Sequence, residues 1–298
     1  MSIVETIERR AARIEQREAV RGRHRRLDPT RWVVLALLVL GAVLVLTPLG
    51  IMVLNAFKTS ADYSQNGPLS IPGELYFDGL VTFWNRVQFP AKFANSLLIS
   101  TASAAIAVVL SLLNSYALGI GRVRWHTGWV AAFMIVTMLP AEGFVYPLFY
   151  LFREVGMGNS QWTMVIILGV LHTAFGTYLL SSVMGSFPRE ILEAASIDGA
   201  GRWRQLRDVV TPMVRPTLSV LFIFFFIWAW NEFYFSLIFL TSSSTQTIPL
   251  AIASLQGDRV MDVPTINAGS LVSLLPALIF FLVFQRTLTR GLTAGALK

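Results

Sequence analysis

The stretch Glu193-Ala194-Ala195-Ser196-Ile197-Asp198-Gly199 is a short island of polar and small residues between two long apolar segments. A second short stretch follows it and ends at Val209-Val210-Thr211-Pro212. Lipid cannot favour such an island, because moving unpaired polar groups into hydrocarbon costs free energy. We therefore interpret the island as a docking surface at one face of a membrane. An ordinary connection between two helices is the alternative.

Long apolar segments make up most of the rest of the chain. It has 298 residues, of which 54% are hydrophobic and 14% charged, whereas soluble domains carry about 25% charged residues. A helix needs about 20 apolar residues to cross a bilayer. Six segments meet this requirement, at Trp32–Phe57, Phe93–Ile120, Thr127–Phe152, Gln161–Met184, Pro216–Leu240 and Ala268–Leu288. The sequence therefore predicts an all-α fold, a polytopic membrane helix bundle with six transmembrane helices.

The chain divides into three predicted regions. Residues 1–31 are rich in Arg, residues 32–288 form the transmembrane domain with the island inside a loop at 185–215, and residues 289–298 form a tail. In the first region, apolar residues recur at helical spacing among the charges, which favours an amphipathic surface helix. We interpret it as a basic anchor at the membrane. A nucleic-acid site or a specific lipid site is the alternative.

The distribution of basic residues predicts the orientation, because Lys and Arg are enriched in the cytoplasmic loops of membrane proteins. Of the 24 Lys and Arg residues, 19 fall in the N-terminal region, the second and fourth connections and the C-terminal end, and five fall on the opposite side. Both termini and the island are therefore predicted to be cytoplasmic. The two longest connections on the other side, residues 58–92 and 241–267, are expected either to meet an external partner or to cap the bundle.

The island itself predicts a helical hairpin. Pro188 suits the first turn of a helix, where its missing N–H costs nothing, so residues 188–197 are predicted to form a short helix. Gly199 is predicted to end that helix, since glycine readily takes the left-handed conformation found after helix ends. Residues 200–210 are predicted to form a second helix that Pro212 ends.

The first helix of the hairpin is predicted to present a small apolar face. Ile191, Ala194 and Ala195 share one side at helical spacing. The two alanines would allow another surface to approach closely. Glu193 adds a carboxylate that can pair with a basic partner, and the bend at Gly199 would fix the angle at which the helix is presented.

No site for nucleotide or metal chemistry is found in the sequence. A phosphate-binding P-loop requires Gly-x-x-x-x-Gly-Lys-Ser/Thr, and none of the lysines Lys58, Lys92 and Lys298 lies in that pattern. The three histidines are scattered singly, and there is no cysteine. The chain is therefore predicted not to be an enzyme and not to bind a cofactor or metal of its own.

The island and its surroundings resemble a known family. Glu193-Ala194-Ala195, three residues, Gly199, nine residues, Val209, one residue and Thr211-Pro212 resemble the EAA motif of permease subunits in bacterial ABC importers. That motif reads Glu-Ala-Ala, three, Gly, nine, Ile, one, Leu-Pro, so Val209 and Thr211 are departures. Further segments resemble the carbohydrate-uptake branch, in particular the second permease of maltose-type systems: Asn95-Ser96, Leu139-Pro140, Trp230-Asn231-Glu232-Phe233, Phe284-Gln285-Arg286 and Gly291–Ala296.

This resemblance implies a type I ABC importer permease fold in a bacterial inner membrane and a role in ATP-driven sugar uptake. The implied residues that couple the chain to an ATPase are Glu193, Ala194, Ala195, Asp198 and Gly199. The implied contacts of the tail with the ATPase are Gly291, Leu292, Thr293, Ala294 and Gly295, with a frayed terminus as the alternative.

The resemblance also implies an assembly of several subunits. The expected partners are a second, non-identical permease, two copies of an ABC ATPase that bind the ATP and Mg²⁺, an extracytoplasmic substrate-binding protein and membrane lipid. No nucleic acid is expected.

Two acidic residues fall inside predicted spans, Glu142 and Glu232, with Asn231 beside the second. Charged residues at membrane depth usually face a bundle interior or an aqueous cavity. These three side chains are candidates for the translocation path or its outer gate. Two alternatives stay open: hydrogen bonds that hold helices together, and proton relay in a proton-coupled secondary transporter. The polar residues Asn114, Ser115, His172 and Thr173 could line the same cavity.

Overall fold

The computed structural model describes residues 29–121, 123–256 and 262–296, without the side chains of residues 29, 30, 256 and 286–296. The predicted surface helix within residues 1–31 therefore lies almost entirely outside the described residues. Contacts divide the chain into one unit up to Ile51 and a second from Met52 onward. Helix α1, Pro29–Ala56, carries the first span, and its continuous apolar sequence is long enough to cross a bilayer.

The rest of the described chain is helical and contains no strand. Its helices are α2 Ser60–Asn66, α3 Asp78–Arg86, α4 Phe89–Gly119, α5 His126–Met138, α6 Val145–Glu154, α7 Gln161–Gly185, α8 Arg189–Ile197, α9 Arg202–Trp230, α10 Tyr234–Phe239, α11 Ile248–Gln256 and α12 Val263–Ala296. Among all the described helices, five are long and apolar enough to span a membrane, namely α1, α4, α7, α9 and α12. The pair α5 and α6 adds a sixth candidate span, which is bent by 93°. The prediction of an all-α membrane bundle is confirmed.

The third predicted span is not a continuous helix, so the prediction of one unbroken helix over Thr127–Phe152 is wrong. Helix α5 ends at Met138, a 3-10 turn covers Ala141–Phe144, and α6 runs off in a new direction. The cause is Pro140, because a proline disfavours helical backbone in the residue before it. Leu139 accordingly takes extended angles, with φ −73° and ψ 137°.

The fifth predicted span also ends early. Helix α9 stops at Trp230 instead of reaching Leu240, and α10 begins only at Tyr234. Between them, the Glu232 carboxylate accepts a hydrogen bond from the backbone N–H of Phe235 at 2.8 Å. This side-chain bond satisfies an N–H at the start of α10 that has no partner within the helix. Glu232 therefore stabilises a helix break.

Pro212 does not end the second helix of the hairpin, contrary to the sequence prediction. Helix α9 passes through it because Gln205–Val210 forms a π-helical turn, whose hydrogen bonds span five residues instead of four. The carbonyl of Leu206 accepts both the backbone N–H of Thr211 and the Thr211 hydroxyl, the latter at 2.7 Å. Thr211, which departs from the family motif, thus satisfies the backbone where the helix changes its hydrogen-bond spacing.

The core of the bundle is the contact between α4 and α7. Small residues line the buried side of α4, namely Ser103, Ala104, Ala107, Ser111 and Ser115. Gly169 and Gly176 of α7 lie opposite: a Cβ on Gly169 would lie 2.9 Å from Ile106 Cγ2, and one on Gly176 would overlap the Ser111 hydroxyl. The Ser111 hydroxyl donates across the interface to the Thr173 carbonyl at 3.3 Å. Small residues let membrane helices approach closely and pack by van der Waals contact.

A polar network closes one end of the bundle. Lys92, with 1% of its surface exposed, donates from Nζ to the Ser243 carbonyl. The Asn95 amide donates to the carbonyls of Ser244 at 2.8 Å and Gln246 at 2.9 Å. The Ser96 hydroxyl accepts the N–H of Ile248 at 2.9 Å. The described part of the 241–267 connection is therefore built into the bundle at the start of α4.

The 58–92 connection is also packed. Lys58 is 1% exposed and donates to the Gly67 carbonyl at 2.8 Å and the Ser70 hydroxyl at 2.9 Å. Helix α3 packs against α12, where the ring of Phe83 occupies the space that a Cβ on Gly269 would need. Both long connections thus cap the bundle, as one of the two sequence interpretations expected.

The α4–α7 contact makes a direct prediction. Gly176→Ala places a methyl group where the Ser111 hydroxyl and the Phe225 ring already lie, so the helices must separate. We expect a loss of about 1–3 kcal/mol in the free energy of unfolding, seen as a lower thermal midpoint of the detergent-solubilised protein. The control is Gly128→Ala in α5, where nothing lies within 4 Å. Equal midpoints for the two variants would contradict the close approach.

Candidate functional site

Helix α8 begins and ends as the sequence predicts. It starts at Arg189 after Pro188 and ends at Ile197. Gly199 has φ +77°, and its N–H donates to the Ser196 carbonyl at 3.1 Å, while the N–H of Ala200 donates to the Ala195 carbonyl at 2.9 Å. These two bonds form a Schellman motif, which satisfies the last carbonyls of a helix through a left-handed residue. The bend at Gly199 is therefore fixed by backbone geometry.

The face predicted for α8 is divided in the structure. Ala195 is buried, whereas Ala194 and Ile191 are exposed. Because α8 packs against the Gln205–Val210 turn, its inner side carries Ala195 and the outer side carries Ala194. Ile197 at the end of the helix is 87% exposed. Only part of the small apolar face is thus free to meet another surface.

Side-chain hydrogen bonds brace the hairpin. The Gln205 amide donates to the Ser196 hydroxyl at 2.8 Å and to the Ala200 carbonyl at 3.0 Å, so it ties α9 to the end of α8. The hydroxyl of Tyr116, near the end of α4, donates to the Arg202 carbonyl at 3.1 Å. The two helical parts of the hairpin are therefore tied to each other and to the core helix α4.

A pocket of about 210 Å³ lies where α8 meets the ends of α4 and α7. Gly119 and Met184 form part of its wall on the bundle side, and Arg189, Glu193 and Ser196 line it from α8. Glu193 is also exposed to solvent. Its carboxylate therefore stands at the mouth of this pocket, between the bundle and the outer surface of the hairpin.

The start of α9 adds an exposed basic and aromatic surface. Arg202, Arg204 and Arg207 are exposed, and Trp203 is 68% exposed. Asp208 lies 3.8 Å from Arg204 and 3.5 Å from Arg207. Exposed ion pairs of this kind contribute about 0–1 kcal/mol. Most of this surface is thus available for contacts outside the chain.

The C-terminal residues predicted to contact an ATPase, Gly291 to Gly295, lie in the last part of α12. Their side chains are outside the described part of the structure. Their predicted contact stays a prediction.

The three membrane-depth candidates lie at the two helix breaks. Glu142 is exposed in the 3-10 turn between α5 and α6. Asn231 is exposed after α9, and its amide donates to the Ile227 carbonyl at 2.8 Å. Glu232 is half-buried. The bond that its carboxylate accepts from Phe235 lies within its own segment, so this bond does not tie one long helix to another.

The breaks enclose a second pocket of about 200 Å³, here called the break pocket. The residues that line it include Thr137, Leu139, His172, Phe175, Trp228 and Glu232. From the sequence, Glu232 is a candidate for the translocation path and His172 could line the same cavity. No sequence pattern places Thr137, Phe175 or Trp228 beside them. The available signal was the Leu139-Pro140 pair, which locates the break, although not the helices that pack around it.

The sequence profile described as "Binding-protein-dependent transport system inner membrane component" matches residues 111–293, which include both helix breaks and the hairpin. The chain belongs to this family. The match covers more than half of the chain and includes the whole EAA-like motif.

Individual relatives agree with this family. The chain is 32% identical over 271 residues to the trehalose transport system permease protein SugB of Mycobacterium tuberculosis, covering 90% of this chain and 97% of the relative. It is 31% identical over 250 residues to the diacetylchitobiose uptake system permease protein DasC of Streptomyces coelicolor, covering 83% and 90%. Both are named as sugar permeases.

A solved structure supports the fold. The chain superposes with a TM-score of 0.73 and 20% identity on a chain of a bacterial ABC transporter involved in the import of the acidic polysaccharide alginate, covering 88% of this chain and 97% of that one. Together with the family match, this superposition shows that the chain has the type I fold of ABC importer permeases.

The bend of the hairpin makes a second prediction. Gly199→Val places a β-branched residue at φ +77°, which costs such a side chain free energy. We expect faster hydrogen exchange at the amides of residues 199 and 200, measured by mass spectrometry of the detergent-solubilised protein. In Gly199→Asn, the same amides should exchange much more slowly than in Gly199→Val, since Asn tolerates left-handed backbone. Gly201→Val is the matched control, because Gly201 has φ −66° and nothing within 4 Å. Fast exchange in Gly201→Val alone would be evidence against the assigned bend.

Proposed function

We propose that this chain is one transmembrane subunit of an ATP-driven sugar uptake transporter, and that α8 is the helix through which an ATPase drives it. The observation that carries the proposal is the hairpin itself. A short helix with a fixed bend projects from the bundle, exposes Ile197 and Ala194, and is braced to α4 through Tyr116 and to α9 through Gln205. A helix held in this way transmits a push to the span that follows it.

The ATPase is proposed to be a separate protein in two copies, one for each permease of the pair. No P-loop exists in the sequence, so ATP and Mg²⁺ would be bound by that partner. Glu193, Ala194, Ala195, Asp198 and Gly199 are the proposed coupling residues. Ala195 would act from the inner side, by seating α8 on the bundle. The tail residues Gly291 to Gly295 are proposed to add a second contact.

The remaining partners follow from the family. A binding-protein-dependent system requires a binding protein outside the membrane, and a second permease would complete the pore. Both termini and α8 are proposed to face the cytoplasm, because most of the Lys and Arg residues lie on that side of the predicted spans. The capped end, with Lys92 and Ser243, would face the binding protein.

Sugar is the proposed substrate class, since the relatives named above carry trehalose and diacetylchitobiose in their names. Glu142, Asn231 and Glu232 are proposed to lie along the translocation path, because they occur where two spans are broken. Irregular backbone at membrane depth occurs where it is buried in protein or lines a cavity. Each of the two states of the transporter must bind nucleotide differently, since a ligand shifts an equilibrium only through differential affinity.

The coupling assignment is tested with Gly199→Trp. A bulky residue at this left-handed position distorts the bend on the docking surface, so we expect uptake of labelled sugar to be lost while the protein remains in the membrane. Gly199→Asn is the control and should keep most of the uptake. Normal uptake by Gly199→Trp would refute the assignment.

Uptake assays in the same cells distinguish the proposed ABC importer from the alternative, a proton-coupled transporter that uses Glu142 and Glu232. Uptake through an ABC importer requires the partner ATPase. That ATPase should also co-purify with this chain. A proton-coupled carrier would work without the ATPase and would stop when an ionophore collapses the proton gradient.

Orientation is tested by single cysteines, because the chain contains none. Ser244→Cys at the capped end should react with a membrane-impermeant maleimide added to intact spheroplasts. Glu190→Cys on α8 should react only after the membrane is opened. Both positions are exposed in the chain. The reverse pattern of labelling would overturn the proposed topology.

A further inference from the structure

The break pocket is bounded by two discontinuous spans and by an unbroken helix. Leu139 comes from the α5–α6 break, Glu232 from the α9–α10 break and His172 from the middle of α7. Broken helices that converge on one place mark the binding sites of many membrane transporters, because they bring backbone and side-chain polar groups to membrane depth. Here two breaks distant in sequence open onto the same cavity.

Aromatic rings form much of the wall of this pocket. Phe175 and Trp228 both line it, with ring centroids 5.2 Å apart at 65°. The His172 ring is stacked on Phe225, 5.5 Å away and 10° from parallel, and meets Trp228 edge-on at 5.5 Å. This packing fixes the ring planes. Flat apolar surfaces of this kind match the C–H faces of a pyranose ring.

Two polar groups in the pocket have hydrogen-bonding capacity that the chain leaves unused. His172 Nδ1 is buried and has no hydrogen-bond partner among the described residues. A neutral imidazole carries one donor and one acceptor, and buried polar groups without partners are rare. The Glu232 carboxylate accepts a bond from Phe235 and has lone pairs left for more. Hydroxyl groups of a bound ligand would supply the missing partners.

The charge of the pocket selects among saccharides. Its lining contains the carboxyl group of Glu232 and no Lys or Arg. An acidic sugar would meet this carboxyl group with no cation to pair with. The pocket therefore favours a ligand without negative charge.

The size of the pocket limits how much of a ligand it holds. Its volume of about 200 Å³ is below the roughly 300–1,000 Å³ of sites that enclose drug-sized ligands. A single sugar ring fits this scale, whereas a whole oligosaccharide exceeds it. Longer substrates would pass through one ring at a time.

We propose that the break pocket is a saccharide site of this subunit, which holds one uncharged sugar ring on Trp228 and Phe175 while His172 and Glu232 bond its hydroxyl groups. This assignment rests on the proposed function. It adds a place within this chain where the substrate is recognised, and it names uncharged sugars as the class that is accepted.

The test uses the complete transporter in cells, with a panel of labelled neutral disaccharides that includes trehalose. For the sugar that the wild type takes up, Trp228→Ala should raise KM about threefold to tenfold, the scale of one lost aromatic contact, and change the maximal rate less than twofold. His172→Ala should act in the same direction. The control is Trp129→Ala, an exposed tryptophan on α5 that does not line the pocket.

Selectivity gives a second readout. Glu232→Gln keeps an oxygen that can accept the Phe235 N–H and removes the carboxyl group. We expect the preference for a neutral disaccharide over one that contains glucuronic acid to fall at least threefold. Glu154→Gln, at the exposed end of α6, should leave the preference unchanged.

The outcomes separate the two proposals. If the wild type takes up no sugar and co-purifies with no ATPase, the proposed function fails. If it takes up sugar but Trp228→Ala keeps the wild-type KM, the pocket proposal alone fails, and the cavity is a lipid-filled space. A wild type that prefers the acidic disaccharide also overturns the pocket proposal. Amounts of assembled complex, measured by co-purification, show whether a variant has folded.

Discussion

The contact between α4 and α7 is the constraint on which the rest of this structure depends. Hydrophobic burial cannot drive two helices together in lipid, so they associate by close packing and hydrogen bonds. Gly169 and Gly176 leave no room for a side chain, and Ser111 bonds across the interface. Because the two helices are held side by side, the paired ends of α4 and α7 form two fixed platforms, one at each end of the contact. The polar cap packs on the platform at the start of α4, and the α8 hairpin packs on the platform at the end of α4.

The irregular parts of the chain are placed by these platforms. At one end, Lys92 and Asn95 at the start of α4 hold the turn that follows residue 241. At the other, Tyr116 near the end of α4 holds the carbonyl of Arg202. The two helix breaks lie between these ends and open onto the middle of α7, at His172. Regular packing of two helices thus supports the positions where other helices are broken.

Much of this arrangement could be predicted from local sequence. The length of the apolar segments predicts the spans, and Pro188 and Gly199 predict both ends of α8, because each acts through its own backbone conformation. The EAA spacing indicates the family, which the match over residues 111–293 confirms. These features depend on residues that are close together in the chain.

The break in the third span follows from Pro140, which is a local signal, but the other predictions that failed depend on contacts or on backbone rearrangements that a pattern does not show. Pro212 is a helix breaker by local rules, yet the π turn and the Thr211 hydroxyl carry the helix through it. Ala194 and Ala195 look equivalent in sequence, but packing against Gln205–Val210 buries only one of them. Likewise, Trp228 joins Glu232 and His172 only after α9 has packed against α7.

Helix α9 has a mechanical consequence that follows from its length. It runs without a break from Arg202, beside the hairpin, to Trp230, beside the break pocket. Its 29 residues make a rod of about 44 Å at 1.5 Å per residue. A tilt of only about 10° at the hairpin would displace the far end of this rod by roughly 8 Å if the near end acts as the pivot. In the proposed transporter, this helix would act as a lever arm that turns a small rotation at one face of the membrane into a displacement at the other about as wide as a sugar ring.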